Sequence, residues 1–200
     1  MKLILVRHGQ TESNKLGRIQ GINDSPLTGV GRKQAEAAAR ALISDAPFAL
    51  YSSPLRRALQ TAKAIGSLAG VQPVEVKQLI EMDVGKFEGL SGPQLRERFP
   101  DVMSSWDNDP ASTVMPGGES LHDVRDRAWP AIRSLAERHE SETVVAVTHN
   151  FTIHTIVCTA LDMPLNNFRK LRIDLGAITR LEITSARTTL VSLNETWHLK

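Results

Sequence analysis

Cysteine is almost missing from this chain of 200 residues; Cys158 is the only one. An intrachain disulfide and a cysteine-based zinc site are therefore excluded, and Cys158 reads as a small buried hydrophobe rather than a reactive thiol. A large charge of either sign is missing as well. Lys and Arg number 24 against 22 Asp and Glu, a net charge of +2. That is too little to indicate nucleic acid or a membrane surface as a partner, although a local positive pocket would be hidden in the sum. Long apolar runs are absent. The N-terminal one spans Leu3 to Val6 and runs straight into Arg7 and His8, too short for a signal-peptide core or a membrane span. A cytoplasmic protein is expected. No Asp/His cluster has metal-ligand spacing, so neither a metal nor a cofactor is expected. No Gly-x-x-x-x-Gly-Lys-Ser/Thr loop, repeat or low-complexity linker occurs. With 41% hydrophobic and 23% charged residues, residues 1–200 read as one soluble domain with a sizeable core.

What is present alternates. Strand signals fall at 2–6, 48–52, 71–76, 143–147, 178–184 and 188–193, with helical patterns between them. Thr28 is placed to cap an Ala-rich helix reaching about Ser44. Pro54 should open a second helix, closed by Gly70. Ser91 to Arg98 predicts a short helix stopped by Pro100. Pro130 should kink or break a long helix between Glu119 and His139. A further helix is expected from Asn150 to about Leu161. This alternation predicts an α/β fold, a mainly parallel sheet covered on both faces. The three-residue loop Ser185–Arg187 fits a hairpin, so one edge strand should be antiparallel.

Four segments carry chemistry, and each leaves a strand or opens a helix. Leu3–Val6 delivers Arg7-His8-Gly9 to the carboxyl end of a strand, where open α/β sheets carry their sites. A neutral imidazole held in one tautomer is a competent nucleophile toward phosphorus, and an Arg fork matches phosphate oxygens. Ser52 to Ala62 repeats the pattern of strand, turn and helix, placing Arg57 in a first helical turn. Val147-Thr148-His149-Asn150 ends another buried strand in a His with a helix directly after it. Asn150 either caps that helix and reaches a substrate, or only caps it. Leu79 to Gly89 supplies Glu81, Asp83 and Glu88. A carboxyl beside a phosphate dianion has its pKa raised and can serve as an acid near neutral pH.

These segments resemble those of the histidine phosphatase superfamily, also called the phosphoglycerate mutase-like family. The shared elements are Arg-His-Gly-Gln-Thr-Glu-x-Asn, the Ser-x-Leu-x-Arg-Ala-x-Gln-Thr-Ala run ending at Ala62, the strand-ending His149, and Leu-x-Glu followed by Gly-x-x-Glu-Gly. The resemblance covers nearly the whole chain. It implies a three-layer α/β/α sandwich and a phosphomonoester hydrolase working through a phosphohistidine. It makes His8 the nucleophile, Glu81 the proton donor, and Arg7, Asn14, Arg57 and a protonated His149 the groups binding phosphoryl oxygens. Asp83 is the rival for the acid; Glu12 and Glu88 read as loop ties. Gly21 would let backbone approach the substrate, and Gln20 either touches substrate or braces its loop. Residues of about 82–125 would form a lid. Trp106, Met115 and Phe151 read as core, and His122, His139, His154 and His198 as surface or packing residues. The tail Leu193–Leu199 looks like the Leu-Asn-Asp-x-x-His-Leu ending of some family phosphatases.

The partner expected is a small phosphomonoester. The sequence does not name it, and a homodimer is one admissible assembly. The runner-up activity is that of a cofactor-dependent phosphoglycerate mutase. Such mutases carry an adjacent Arg pair after the catalytic Glu. Between Glu81 and Gly117 this chain has Arg96 and Arg98 but no such pair, which favours hydrolysis. A non-catalytic phospho-ligand binding module would lose His8 or Glu81, and both are present.

Overall fold

A computed structural model describes residues 1–200. The six expected strands form: β1 (Lys2–Arg7), β2 (Ala49–Ser52), β3 (Pro73–Glu75), β4 (Thr143–Thr148), β5 (Ile178–Ile183) and β6 (Thr188–Glu195). They make one sheet in the order β3-β2-β4-β1-β5-β6. The first four are parallel, whereas β5 pairs antiparallel to β1 and β6 antiparallel to β5. The antiparallel pairing thus lies at one edge as expected, and β5 is the strand that turns against the others.

The apolar runs have no polar alternation because both faces of the sheet are covered. Leu3 and Leu5 of β1 join Val144 and Ala146 of β4 in one cluster. Ile4 and Val6 join Val145 and Val147 in the other. The first cluster is closed by α6 (Leu121–Arg138) and α7 (Asn150–Ala160). The second is closed by α2 (Gly29–Ala41) and α3 (Arg56–Ala69). A sandwich of helices, sheet and helices follows. A short helix, α1 (Glu12–Lys15), precedes α2.

Several boundaries differ from the sequence expectation. The second helix begins at Arg56 rather than Pro54, and its first free N–H is taken by the Asp24 carboxylate at 2.6 Å. Pro100 does end α4 (Gly92–Arg98), but it also opens α5 (Pro100–Asn108), which the sequence reading lacked. A proline is pre-set for a first helical turn, so one residue serves both ends. Pro130 does not divide α6, which runs unbroken through it. It stands on the exposed face of the helix, where solvent can take the carbonyl that proline cannot serve.

A third apolar cluster lies apart from the sheet. Met82, Val84 and Phe87 pack with Trp106, Leu121 and Phe168. Trp106 and Met115 are buried in this cluster and Phe151 packs against it, the core role expected of them.

Candidate active site

Strand register brings three motifs to one end of the sheet. Arg7 lies opposite Thr148, and Ser52 opposite Val147. The chain continues these pairings past the strand ends. The His8 N–H donates to Thr148 O at 3.1 Å and the Ser53 N–H to Val147 O at 2.9 Å. His8, Ser53 and His149 are therefore neighbours, although they lie far apart in sequence. The His8 and His149 rings sit with centroids 5.0 Å apart.

Arg57 joins them. It is 1% exposed, in the first turn of α3. Its Nε is shared between His8 Nε2 at 3.3 Å and His149 Nδ1 at 3.2 Å. Its terminal nitrogens donate to Asn23 O at 2.8 Å and Gly21 O at 2.6 Å. These contacts fix both imidazoles. His8 Nδ1 lies 2.7 Å from Gly9 O, so Nδ1 carries the proton and Nε2 presents its lone pair. His149 Nδ1 accepts from Arg57, so its proton is on Nε2, facing Ser53 Oγ at 2.7 Å. Burial holds the pKa of each well below that of an ordinary histidine, and the nearby guanidinium charges add to the effect. In the site as it stands, burial beside guanidinium charge favours the neutral imidazole at His149; the protonated form implied by the resemblance belongs to the phosphoryl-bound state.

Arg7 donates through one terminal nitrogen to Ile173 O at 2.6 Å, while its Nε is buried without a protein partner. Burial lowers its pKa, as it does that of Arg57, with the Glu81 charge opposing the shift in both. Glu81 is 4% exposed and lies over the start of α7. Its carboxylate accepts from the Met82 N–H at 2.9 Å, the Phe151 N–H at 3.1 Å and the Thr152 N–H at 3.4 Å. Burial raises its pKa; the Met82 N–H and the two guanidinium charges oppose that rise without reversing it. The backbone beneath it is clamped. Thr148 Oγ1 donates to Leu79 O and Thr152 Oγ1 to Ile80 O, both at 2.6 Å. Arg127 reaches the carbonyls of Gln78, Ile80 and Glu81 at 2.8–3.0 Å while paired with Glu119.

The remaining candidates divide. The Asn14 side-chain oxygen accepts from the Thr11 N–H at 3.0 Å and hydroxyl at 2.9 Å, and its amide nitrogen bonds nothing in the protein. Gln20 braces its loop with both ends, on Thr11 and on Asn23 and Ser25. Gly21 needs its bare Cα for a reason other than the approach of a substrate. A Cβ there would meet Met82 O at 2.6 Å and Val84. Asn150 makes no capping bond; His149 is the cap residue of α7 and Asn150 follows it. Asp83 is occupied in accepting from the Gly85 N–H at 2.9 Å. Glu88 ties Gly21 and Asn23 through their N–H groups, and Glu12 meets only the exposed Lys15.

Ser53, Arg127, Glu119 and Thr61 were not singled out in the sequence. Thr61 Oγ1 accepts from the Gly9 N–H at 3.2 Å and donates to Arg57 O at 2.9 Å. Its place one helical turn after Arg57 was the available signal. No group of three or more His, Cys, Asp or Glu side chains is arranged to hold a metal ion.

A nucleophile-ready imidazole, one buried and one half-buried guanidinium group and a carboxyl of raised pKa, gathered at the carboxyl ends of parallel strands, define a phosphoryl-handling α/β enzyme. The chain belongs to the histidine phosphatase superfamily (branch 1), whose model matches residues 3–196. It is 32% identical over 199 residues to phosphoserine phosphatase 1 of Hydrogenobacter thermophilus, covering 100% of this chain and 94% of that protein. The mycobacterial glucosyl-3-phosphoglycerate phosphatase in complex with VO3 superposes with a TM-score of 0.88 at 32% identity, over 96% of this chain and 98% of that one. Bacillus stearothermophilus YhfR gives a TM-score of 0.93 at 30% identity, over 100% and 99%.

Proposed function

We propose that the protein hydrolyses a small phosphomonoester in two steps. His8 Nε2 attacks phosphorus in line, and the P–O bond to the alcohol breaks as Glu81 gives its proton to the leaving oxygen. Water then attacks phosphohistidine, Glu81 takes its proton, and His8 departs with its lone pair restored. Arg7, Arg57, the Asn14 amide and His149 hold the phosphoryl oxygens through both steps. His149 takes up a proton only with the negative charge of the phosphoryl group beside it. Asn150, Gln20 and Gly21 border this site. Gln20 and Gly21 act there through the loop they brace.

The observation that carries the reading is the His8 tautomer. Nδ1 is committed to Gly9 O, which leaves Nε2 without a proton, its lone pair accepting only the long Arg57 Nε–H bond at 3.3 Å that phosphorus displaces. Relatives named for phosphoserine and for glucosyl-3-phosphoglycerate make a small phosphorylated metabolite the substrate class here. The mutase alternative gains nothing from the arginines after Glu81. Arg96 is exposed and paired with Asp107 at 2.9 Å on the outer helices. Residues of about 82–125 act as the lid, anchored through the third apolar cluster. No helix is long and apolar enough to cross a membrane. A cytoplasmic location and a homodimer belong to this reading, and fractionation and light scattering check them.

The test is phosphate release across a panel of phosphomonoesters, phosphoserine included, combined with trapping of acid-labile, base-stable phosphate on the protein. His8→Ala is expected to lose both label and turnover. Label that survives in that variant would remove His8 as the nucleophile.

A further inference from the structure

The C-terminal run Leu193–Leu199 plays no part in the chemistry above, yet it is bonded to the segment that holds Arg7. Asn194 has φ 57°, a left-handed conformation that asparagine tolerates better than most residues. It stands where the pairing of β5 with β6 becomes irregular between Ile178 and Arg180. Its carboxamide makes two bonds to one residue. Oδ1 accepts from the Asp174 N–H at 2.7 Å, and Nδ2 donates to Asp174 Oδ2 at 3.0 Å. Four residues on, His198 Nε2 reaches Gly176 O at 3.0 Å.

The segment held in this way is the one that grips the catalytic pair. Ile173 O takes the Arg7 guanidinium. The Gly176 N–H donates to Arg7 O at 3.1 Å and His8 O at 3.2 Å, and the Arg7 N–H donates to Ala177 O at 3.1 Å. Arg7 is thus fixed at its backbone and its side chain by residues 173–177. Those residues belong to no helix or strand. Their geometry depends on bonds made from behind, and Asn194 supplies two of them.

We propose that Asn194 is a positioning residue for phosphoryl transfer, holding Asp174 and Ile173 so that Arg7 meets the phosphoryl group at the correct angle, with His198 as a second brace. This rests on the reading of Arg7 and His8 given above. A small misplacement of a phosphate-binding group is enough to slow a reaction about 100-fold, so loss of the brace has a kinetic signature.

A double-mutant cycle in the full chain tests it, with p-nitrophenyl phosphate as substrate and vanadate as inhibitor. Asn194→Gly keeps the left-handed backbone and removes both bonds. Its expected effect is a fall in kcat/KM of about 10- to 100-fold, with vanadate inhibition weakened in parallel and little change in melting temperature. In an Arg7→Lys background the same substitution is expected to add little, because the group it positions is gone. Losses that multiply independently in the two backgrounds would overturn the proposal and make the tail a general scaffold. If Asn194→Gly fails to fold, His198→Asn carries the same cycle with the same two outcomes. Turnover retained by His8→Ala would instead overturn the nucleophile reading, and this inference with it.

Discussion

Glu81 balances two opposing demands. Backbone N–H groups at the start of α7 favour its anion, and burial favours its neutral form; burial prevails and the pKa rises. A general acid matters most when the leaving group is poor, and such help is worth about 10²–10⁴-fold. Glu81→Gln is expected to slow cleavage of an alkyl phosphate within that range while slowing the single-turnover burst with p-nitrophenyl phosphate much less. Equal slowing of both bursts would mean that Glu81 is not the acid. The two buried histidines make a separate prediction. Their folded pKa values lie well below 6.5, so the unfolded chain binds protons that the folded one refuses. Stability from this source is present above about pH 6.5 and is lost as the pH falls below it. Glu81 acts in the opposite sense: its folded pKa is raised, so its contribution to stability grows as the pH falls through that value. Comparing wild type with His149→Gln cancels the Glu81 contribution. Urea titrations at pH 7.5 and 5.5 should show the wild type losing more stability than the variant; equal losses would mean that His149 titrates in the folded protein as it does in the unfolded chain.

At the scale of elements, the site depends on close approach of the α2 start to the loop after β1. A Cβ on Gly31 would lie 2.1 Å from Gln10 O, and one on Gly9 would lie 2.3 Å from Gly31 O. Both neighbours are backbone and cannot swing aside. At Gly29, two residues earlier on the same helix, a Cβ would meet only the flexible end of Arg32 at 4.0 Å. Helix propensity favours alanine over glycine by up to about 1 kcal/mol at either position. Overpacking of about 1–3 kcal/mol outweighs that at Gly31 and does not arise at Gly29. Gly31→Ala is therefore expected to lower the melting temperature and to reduce kcat/KM by displacing Gly9 from His8 Nδ1. Gly29→Ala should leave activity unchanged and stability equal or higher. Thermal melts and steady-state kinetics on the two variants check both halves.

For the whole molecule, the proposed mechanism relies on guanidinium charge where a metal could otherwise act. The net charge is +2, yet the buried Arg57 and the half-buried Arg7 both bring guanidinium charge to the site, and the carboxyl that acts on both of them, Glu81, is pushed toward its neutral form. In a poorly screened site such charges act strongly on a phosphoryl group. Turnover is expected to survive excess chelator and to be inhibited by vanadate. Activity lost on chelation and restored by Mg²⁺ or Zn²⁺ would show that the guanidinium pair is not sufficient.

The sequence by itself determined the strands and set His8 and His149 directly after two of them, because each is a local statement; Arg57 and Glu81 were picked out from Arg56, Asp83 and Glu88 only by the family resemblance. An apolar run such as Leu3–Val6 can only be buried on both faces, and a polar residue directly after such a run is delivered to a strand end. Local pattern also carried the hairpin after β5 and the cap at Thr28. Tertiary structure decided whatever depends on which strands become neighbours. The insertion of β4 between β2 and β1 sets Ser53 against His149 and lets one Arg57 nitrogen address both imidazoles. It also set the surroundings that lower the His149 pKa, burial first and then the guanidinium of Arg57, 92 residues away in sequence. Gly21 shows the limit most plainly. Its need for a missing side chain was legible, but that Met82 and Val84 fill the space is a fact of packing, and packing between distant segments leaves no periodicity in the chain.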